Sequence, residues 1–309
     1  MGRIDWEQFK QADAASYDPV ATSFDRLSER FATPVASKLV ALAAPETGQR
    51  WLDVGTGSGI VARCVSSQTE DVEVVGVDLS LQMLGVARQG SALGEDRVHS
   101  VYARMDAERL AFDDASFDGV LSLYALLHFP HPEIALAEMI RVSRPGGRLV
   151  LAFGSGPERW TQEGLIDAAR RLRGRLSCSL GLRLEGPAML ERLVDQHLGG
   201  PAEVEESRLA TNRGDRPSTV VRLVEGAGFT VLRTDWQGFE SVVDSPELFW
   251  ELQAVFSSRV RKRLEAASDR AVEGLRQAFD EACRRVTARG GALIYPHAAF
   301  SIVAQRPSA

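Results

Sequence analysis

Cysteine is scarce in this sequence, and the three present, Cys64, Cys178 and Cys283, are odd in number and far apart. That excludes a disulfide framework, and no C-x-x-C pair of the metal-binding kind occurs. Long apolar runs are also missing, since no stretch approaches the length of a membrane span. The opening residues MGRIDWEQFK hold no apolar h-region, and Trp6 rules out the myristoylation pattern. The expected address is therefore cytoplasmic, with no membrane partner. Positive charge is not in excess: the formal net charge is −6, which disfavours nucleic acid, whose binding needs clustered cations. Low-complexity tracts and repeats of solenoid period are absent. What remains is an ordinary globular composition, 44% hydrophobic and 25% charged over 309 residues. That is enough chain to bury one elaborated domain or two.

Residues 1–48 read as helical, with Phe24, Leu27 and Phe31 at helical spacing. A second helix runs from Pro34 through Leu39, Val40 and Leu42 toward Pro45 and Gly48. Trp51 to Val54 then forms a short apolar strand that runs straight into glycines, and Ile60 to Ser67 resumes helical spacing. The pattern repeats. Val72 to Val77 is a β-branched run suited to a buried parallel strand, and Asp78 and Ser80 supply cap residues for a helix over Leu81 to Arg88. Further strands are expected at Val98 to Ala103, Phe117 to Leu123 and, after a turn at Pro145-Gly146-Gly147, Arg148 to Phe153. A helix at Pro132 to Val142 separates the last two.

Strands alternating with helices at this pace predict an α/β fold, a Rossmann-like doubly wound, mostly parallel sheet of about seven strands. After Pro157 the rhythm breaks. Two helical insertions, 158–215 and 244–290, interrupt a later helix at Val220 to Glu225 and strands at Phe229 to Asp235 and Ala298 to Gln305. Insertions at such points lie over the strand ends where open α/β sheets bind ligands, which predicts a lid. The expected organisation is N-terminal helices over 1–48, a core over 49–157, a helical lid insertion over 158–215, and the rest of the core over 216–309.

The loop Gly55-Thr56-Gly57-Ser58-Gly59 follows a strand and opens a helix, and an acid, Asp78, ends the next strand about 20 residues on, the context that makes a glycine-rich loop a ligand site. Asp78 is placed to accept hydrogen bonds from a ribose diol, so NAD, FAD and S-adenosylmethionine all remain open at this point. The spacing is G-x-G-x-G, however, where dinucleotide folds use G-x-G-x-x-G. Asp53, two residues before the first glycine, would also repel a pyrophosphate. Beside a cationic amino acid moiety the same charge is useful.

As a set, LDVGTGSG (Leu52 to Gly59), VVGVDLSLQML (Val74 to Leu84), Met105-Asp106-Ala107 with FDGV (Phe117 to Val120), and ALLHFPHPEIALAEMIRVSRPGGRLVLAF (Ala125 to Phe153) resemble the motifs of class I S-adenosylmethionine-dependent methyltransferases. The last stretch resembles the ubiquinone/menaquinone-biosynthesis-like (methyltransferase type 11) branch. The resemblance covers about residues 50–153. It implies S-adenosylmethionine as cofactor, S-adenosylhomocysteine as its product, and no metal. It places Asp53, Gly55, Thr56, Gly57 and Gly59 around the methionine part, and Asp78 on the ribose with Leu79 and Met83 packing on the adenine. Asp106 would accept from the adenine amino group, flanked by Met105 and Ala107, and Ser122, Leu123 and Tyr124 would line the sulfonium side. The N-terminal helices would cover this site. Tyr17 either closes over the cofactor or serves as a packing aromatic.

An oxygen acceptor usually needs its proton removed, and histidine is the commonest general base. His128 and His131 follow the fourth strand on the cofactor side; His128 is the first candidate, His131 the second, and His297 an outside one. A loop role for either of the first two is the alternative, and Pro130 and Pro132 argue against a metal pair. Ser122-Leu123-Tyr124-Ala125 stands where adenine amino-methyltransferases carry an Asn/Asp-Pro-Pro-aromatic motif, and no cysteine nucleophile is near, so both nucleobase chemistries are disfavoured. Arg170, Arg171, Arg173 and Arg175 form either a solvated helix face or a contact for phosphate, as on an acyl carrier. The expected function is methylation of a small, partly hydrophobic specialised metabolite of polyketide or quinone type, first at the oxygen of an enol, phenol or alcohol. C-methylation of a quinone-like ring is the alternative, and a non-catalytic S-adenosylmethionine-binding regulator or scaffold is another. The oligomeric state is left open.

Overall fold

The structure, a computed structural model, describes residues 5–92, 99–158, 161–198 and 217–308. Residues 159, 160 and 199–215 of the first predicted insertion, and Val98 of a predicted strand, lie outside the described residues. Three helices open the chain: α1 (Trp6–Ala15), α2 (Ala21–Phe31) and α3 (Thr33–Ala43). Asp5 starts α1 by accepting from the amides of Glu7 and Gln8, and Pro34 sits in the first turn of α3, where its missing N–H costs nothing. Alternation follows as β1 (Arg50–Val54), α4 (Ile60–Gln68), β2 (Glu73–Asp78), α5 (Leu81–Ala92), β3 (His99–Arg104), β4 (Phe117–Leu123), α6 (Pro132–Val142) and β5 (Ser143–Phe153).

These strands are parallel in the order β3-β2-β1-β4-β5, with Leu52 opposite Val75 on one side and Val120 on the other. Both faces are covered, α4 packing between α3 and α5 in one layer and α6 lying against β5 in the other. The predicted parallel α/β sheet is present. Its interior is apolar because the strands are buried on both faces: Leu52, Val54, Val120, Leu149 and Leu151 expose nothing, and α6 turns Ala135, Leu136, Met139 and Val142 inward at helical spacing. Each of these Leu, Val and Met side chains contributes about 1.5–3 kcal/mol by leaving water. Gly119 on β4 leaves room for the buried Trp51 ring on β1; a Cβ there would sit 2.2 Å from it.

Three further strands follow, β6 (Arg183–Glu185), β7 (Thr230–Val243) and β8 (Ala292–Gln305). β8 runs antiparallel to β5, Phe300 opposite Phe153 and Gln305 opposite Arg148, and β7 pairs with β8. Pro145-Gly146-Gly147 lies inside β5 and not in a turn before it. The register with β4 shifts between Phe117 and Gly119, and Gly146 takes φ +78°, so the residues accommodate an irregularity within the strand. β6 falls in a region where the sequence predicts no strand, and β7 and β8 are longer than predicted. The added segments are short or only half-buried, so they lack the apolar alternation that marks a core strand.

The chain divides into two compact units. The first comprises Met1–Gly156, Glu206–Gln237 and Ala299–Ala309, and the second Pro157–Glu205 and Gly238–Ala298. In the second, β6 pairs parallel with the first part of β8, and Phe249, Leu252, Leu275, Phe279 and Cys283 form a buried core. Thr161, Ser245, Ser257 and Ser268 each start a helix of this unit by accepting an amide hydrogen bond from the first turn. Arg171 pairs with Asp167 at 2.8 Å on a solvent-exposed helix, and that same helix exposes Leu165, Ile166, Leu172 and Leu176. Among the described residues no helix is long and apolar enough to cross a membrane.

Candidate functional site

Strand order reverses at β1, whose neighbours β2 and β4 lead away in opposite directions, and the crevice at such a switch point is where open α/β sheets bind ligands. The chain leaves β1 through Gly55, Gly57 and Gly59, all at positive φ. Gly55 has a second reason to be glycine: a Cβ would lie 2.2 Å from that of Ala125, so the loop rests directly on the segment after β4. The amides of Gly55 and Thr56 both donate to the carbonyl of Val77, and that of Gly57 donates to Asp78 Oδ2 at 2.9 Å. Asp78 Oδ1 accepts from the amide of Ser80 at 2.9 Å. Burial pushes the Asp78 carboxyl up, against the amides of Ser80, Gly57 and Leu79 and the nearby His128, which favour the anion.

Asp53 lies wholly inside. Its Oδ2 accepts from Thr56 Oγ1 at 2.6 Å, while Oδ1 is buried without a hydrogen-bond partner, as is the hydroxyl of Ser58. Burial raises the Asp53 carboxyl to about 7; Thr56 opposes that rise and the neighbouring Asp78 adds to it.

The loops after β2 and β3 meet where the Met105 amide donates to the Asp78 carbonyl. Leu79 is half-buried, Met83 and Ala107 are buried, and Met105 packs on the core. Asp106 Oδ1 accepts from the Glu108 amide at 2.9 Å, and Oδ2 accepts from Lys10 Nζ at 2.5 Å. Lys10 comes from α1 and is buried among Glu7, Asp106 and Glu108. Burial works against its ammonium, but hydrogen bonds to Asp106 and Glu7 outweigh that and raise it.

Beyond β4 the predicted residues separate. Ser122 turns its hydroxyl into the sheet, donating to the Val54 carbonyl at 2.9 Å, whereas Leu123 and Tyr124 are half-buried. Tyr124 takes φ +59°, a conformation costly for a bulky side chain, and its amide is held by the Ala152 carbonyl at 2.7 Å. His128 ends the short 3-10 turn Leu126–His128, and its Nδ1 lies 2.9 Å from Asp13 Oδ2 of α1. Tyr17 meets the His128 ring edge-on at 5.8 Å and the Phe24 ring at the same distance, and Phe24 stands over Gly57. His131 is tied down differently: its amide and Nδ1 both bond Glu108, and its ring meets Trp6 edge-on. His297 belongs to the second unit, where it stacks on Phe239.

Two functional candidates, Lys10 and Asp13, escape the sequence reading. They are charged residues on a helix whose outward face is also polar, so only burial distinguishes them. Among the described residues no group of three or more His, Cys, Asp or Glu could hold a metal ion.

The residues present fit S-adenosylmethionine. The orphaned Asp53 Oδ1 calls for a donor, which an amino acid's ammonium supplies, and both Asp78 oxygens keep a lone pair for ribose hydroxyls. Such binding draws the proton off Asp53. Calorimetry at pH 6 in buffers of different ionisation enthalpy should then show release of about one proton per cofactor bound. Affinity should rise by up to about tenfold per pH unit below pH 7 and level off above, and Asp53→Asn should abolish this linkage. Without cofactor the sign reverses: because the folded carboxyl lies above its unfolded value of 3.8, Asp53 costs stability increasingly as pH rises from 3.8 to about 7.

Comparison with known proteins follows the same residues. Residues 52–151 match the family model described as a methyltransferase domain. A demethylmenaquinone methyltransferase of Clavibacter sepedonicus is 35% identical over 51% of this chain and 64% of that protein. An O-methyltransferase of Penicillium expansum is 39% identical over 35% of this chain and 39% of its own length. The chain thus spans less than two thirds of each of these relatives. Among solved structures, the YcgJ protein of Bacillus subtilis has a similar fold, with a TM-score of 0.53 at 20% identity over 89% of this chain and 98% of that one.

Proposed function

We propose that this chain, whose residues 52–151 match a methyltransferase domain, is a class I S-adenosylmethionine-dependent methyltransferase of the ubiquinone/menaquinone-biosynthesis-like branch that methylates a small, partly hydrophobic acceptor at oxygen. The observation that carries the choice of oxygen is the pair His128–Asp13 beside the glycine loop. Methyl transfer to a hydroxyl needs a proton acceptor, and this imidazole is held by a carboxylate through one nitrogen with the other left to act. The O-methyltransferase relative supports the same reading.

When bound, the cofactor supplies a methyl carbon made electrophilic by the attached sulfonium. Asp53, Asp78 and the glycine loop would hold it in place, which matters because an in-line displacement is governed largely by positioning. His128, with Nδ1 on Asp13, would take the acceptor's proton at Nε2. The imidazolium so formed faces the Asp13 carboxylate. Tyr17 sets its ring edge-on to His128, and Phe24 sets its own over Gly57, so aromatic surface flanks the site.

A second reading, methylation at carbon of a quinone-like ring, draws support from the demethylmenaquinone methyltransferase relative. The test is incubation with methyl-labelled S-adenosylmethionine and a panel of phenols, enols and naphthoquinols, the methyl then being located by mass spectrometry. An O-methyl product is expected. A ring-methylated product would favour the second reading, and tight cofactor binding with no transfer to any panel member would favour a non-catalytic binding protein.

A further inference from the structure

Helix α1 touches the site at two places. Lys10 and Asp13 stand three residues apart on one face of it, and both are buried although their side chains are charged. A charge taken out of water needs partners, and both find them on the loops of the site: Lys10 on Asp106 and Glu108, Asp13 on His128. Gln11 adds a third tie, accepting from Arg104, whose Nε donates to the carbonyl of Leu79. Tyr17 follows α1 and lies against the same histidine. The helix therefore spans the acid assigned to the adenine edge and the histidine assigned to the acceptor.

We infer that Asp13 is a positioning residue for His128, and that Lys10 fastens the helix carrying it to Asp106, so one helix face fixes the tautomer of the base. The inference rests on the reading of His128 as that base. Its chemistry is direct. A carboxylate only accepts hydrogen bonds, so the Nδ1 facing Asp13 carries the proton, and the lone pair is confined to Nε2. Without Asp13 the two neutral tautomers compete, and a fraction of molecules presents an N–H where a proton acceptor is required. Lys10 acts one step further away. An uncharged residue in its place leaves Asp106 and Glu108 facing each other without a cation, and α1 loses its anchor beside the cofactor.

The test reads the protein itself. In wild type labelled with nitrogen-15 histidine, long-range proton–nitrogen correlation above the histidine titration range should find His128 as the Nδ1–H form, its signal identified by loss in His128→Asn. Asp13→Ala should cut the ratio of Nδ1–H to Nε2–H at least tenfold, and Asp13→Glu should restore part of it. Lys10→Met should lower the same ratio and also weaken S-adenosylmethionine binding several-fold by calorimetry, whereas Asp13→Ala should change that affinity less than threefold. A His128 tautomer unaltered in Asp13→Ala overturns the inference, as does a ratio unmoved in Lys10→Met. Because no acceptor enters this experiment, failure of the base role would appear only in turnover of His128→Asn and is told apart from failure of the positioning.

Discussion

Asp78→Ala is expected to weaken S-adenosylmethionine binding about 100- to 1,000-fold while the chain remains folded. The ribose diol would donate to both carboxylate oxygens, and hydrogen bonds to a charged group are each worth about 1.5–3 kcal/mol, so losing two at the lower end of that range, about 3–4 kcal/mol together, costs two to three decades in affinity. The substitution also removes the acceptor for the Gly57 and Ser80 amides, which loosens the glycine loop at the point where it must approach the ligand. Stability should move little, and for a definite reason. Burial pushes this carboxyl up, so the ionised side chain is a cost to the cofactor-free protein at neutral pH, and its removal relieves that cost as it frees two amides. Calorimetric titration with S-adenosylmethionine, alongside a thermal melt, separates the two effects. Affinity within threefold of wild type would remove Asp78 from the ribose, and preference for NAD in a control titration would displace the cofactor itself.

Turnover should fall by about 10²–10⁴ in His128→Asn, with cofactor affinity retained within about threefold, since that is the usual contribution of a positioned general base. Asn keeps a polar side chain in the Asp13 contact but offers no nitrogen lone pair. His131→Asn is the internal control. Its imidazole and amide are both committed to Glu108, and its ring is packed against Trp6, so a change of only a few-fold is expected. The measurement is the initial rate of label transfer to whichever panel compound is methylated. An unchanged rate in His128→Asn would remove the base and leave methyl transfer by positioning alone.

Much of the core was legible because parallel strands buried on both faces must be apolar throughout, and Trp51 to Val54, Val72 to Val77 and Phe117 to Leu123 are. The glycine loop was legible for a related reason: its backbone takes positive φ at Gly55, Gly57 and Gly59, and few residue types serve at such positions. Lys10 and Asp13 were not. Their importance arises from contacts with Asp106 and His128, residues about a hundred positions away, and a helix of mixed polarity does not advertise which of its charges are buried. The hydrogen bond from the Ser122 hydroxyl to the Val54 carbonyl was likewise not legible, because it joins strands 68 positions apart. The continuations of β7 and β8 were missed because half-buried strands pairing outside the core carry no periodic apolar signal.

The pairing of β5 with β8 bears on how the molecule comes into being. Phe153 closes β5, and its partner Phe300 is separated from it by nearly half the polypeptide, including the whole of the second unit. During synthesis the parallel sheet β3-β2-β1-β4-β5 can assemble early, yet it must wait with the flank of β5 unpaired and with the places of Phe300, Ile302 and Ala304 in its interior unfilled. An open strand flank of that kind is a template for other chains. The interval between the emergence of β5 and the arrival of β8 is thus the period of greatest exposure to aggregation. A slowly translated second unit would lengthen it, and a chaperone that shields strand edges would be of most use there.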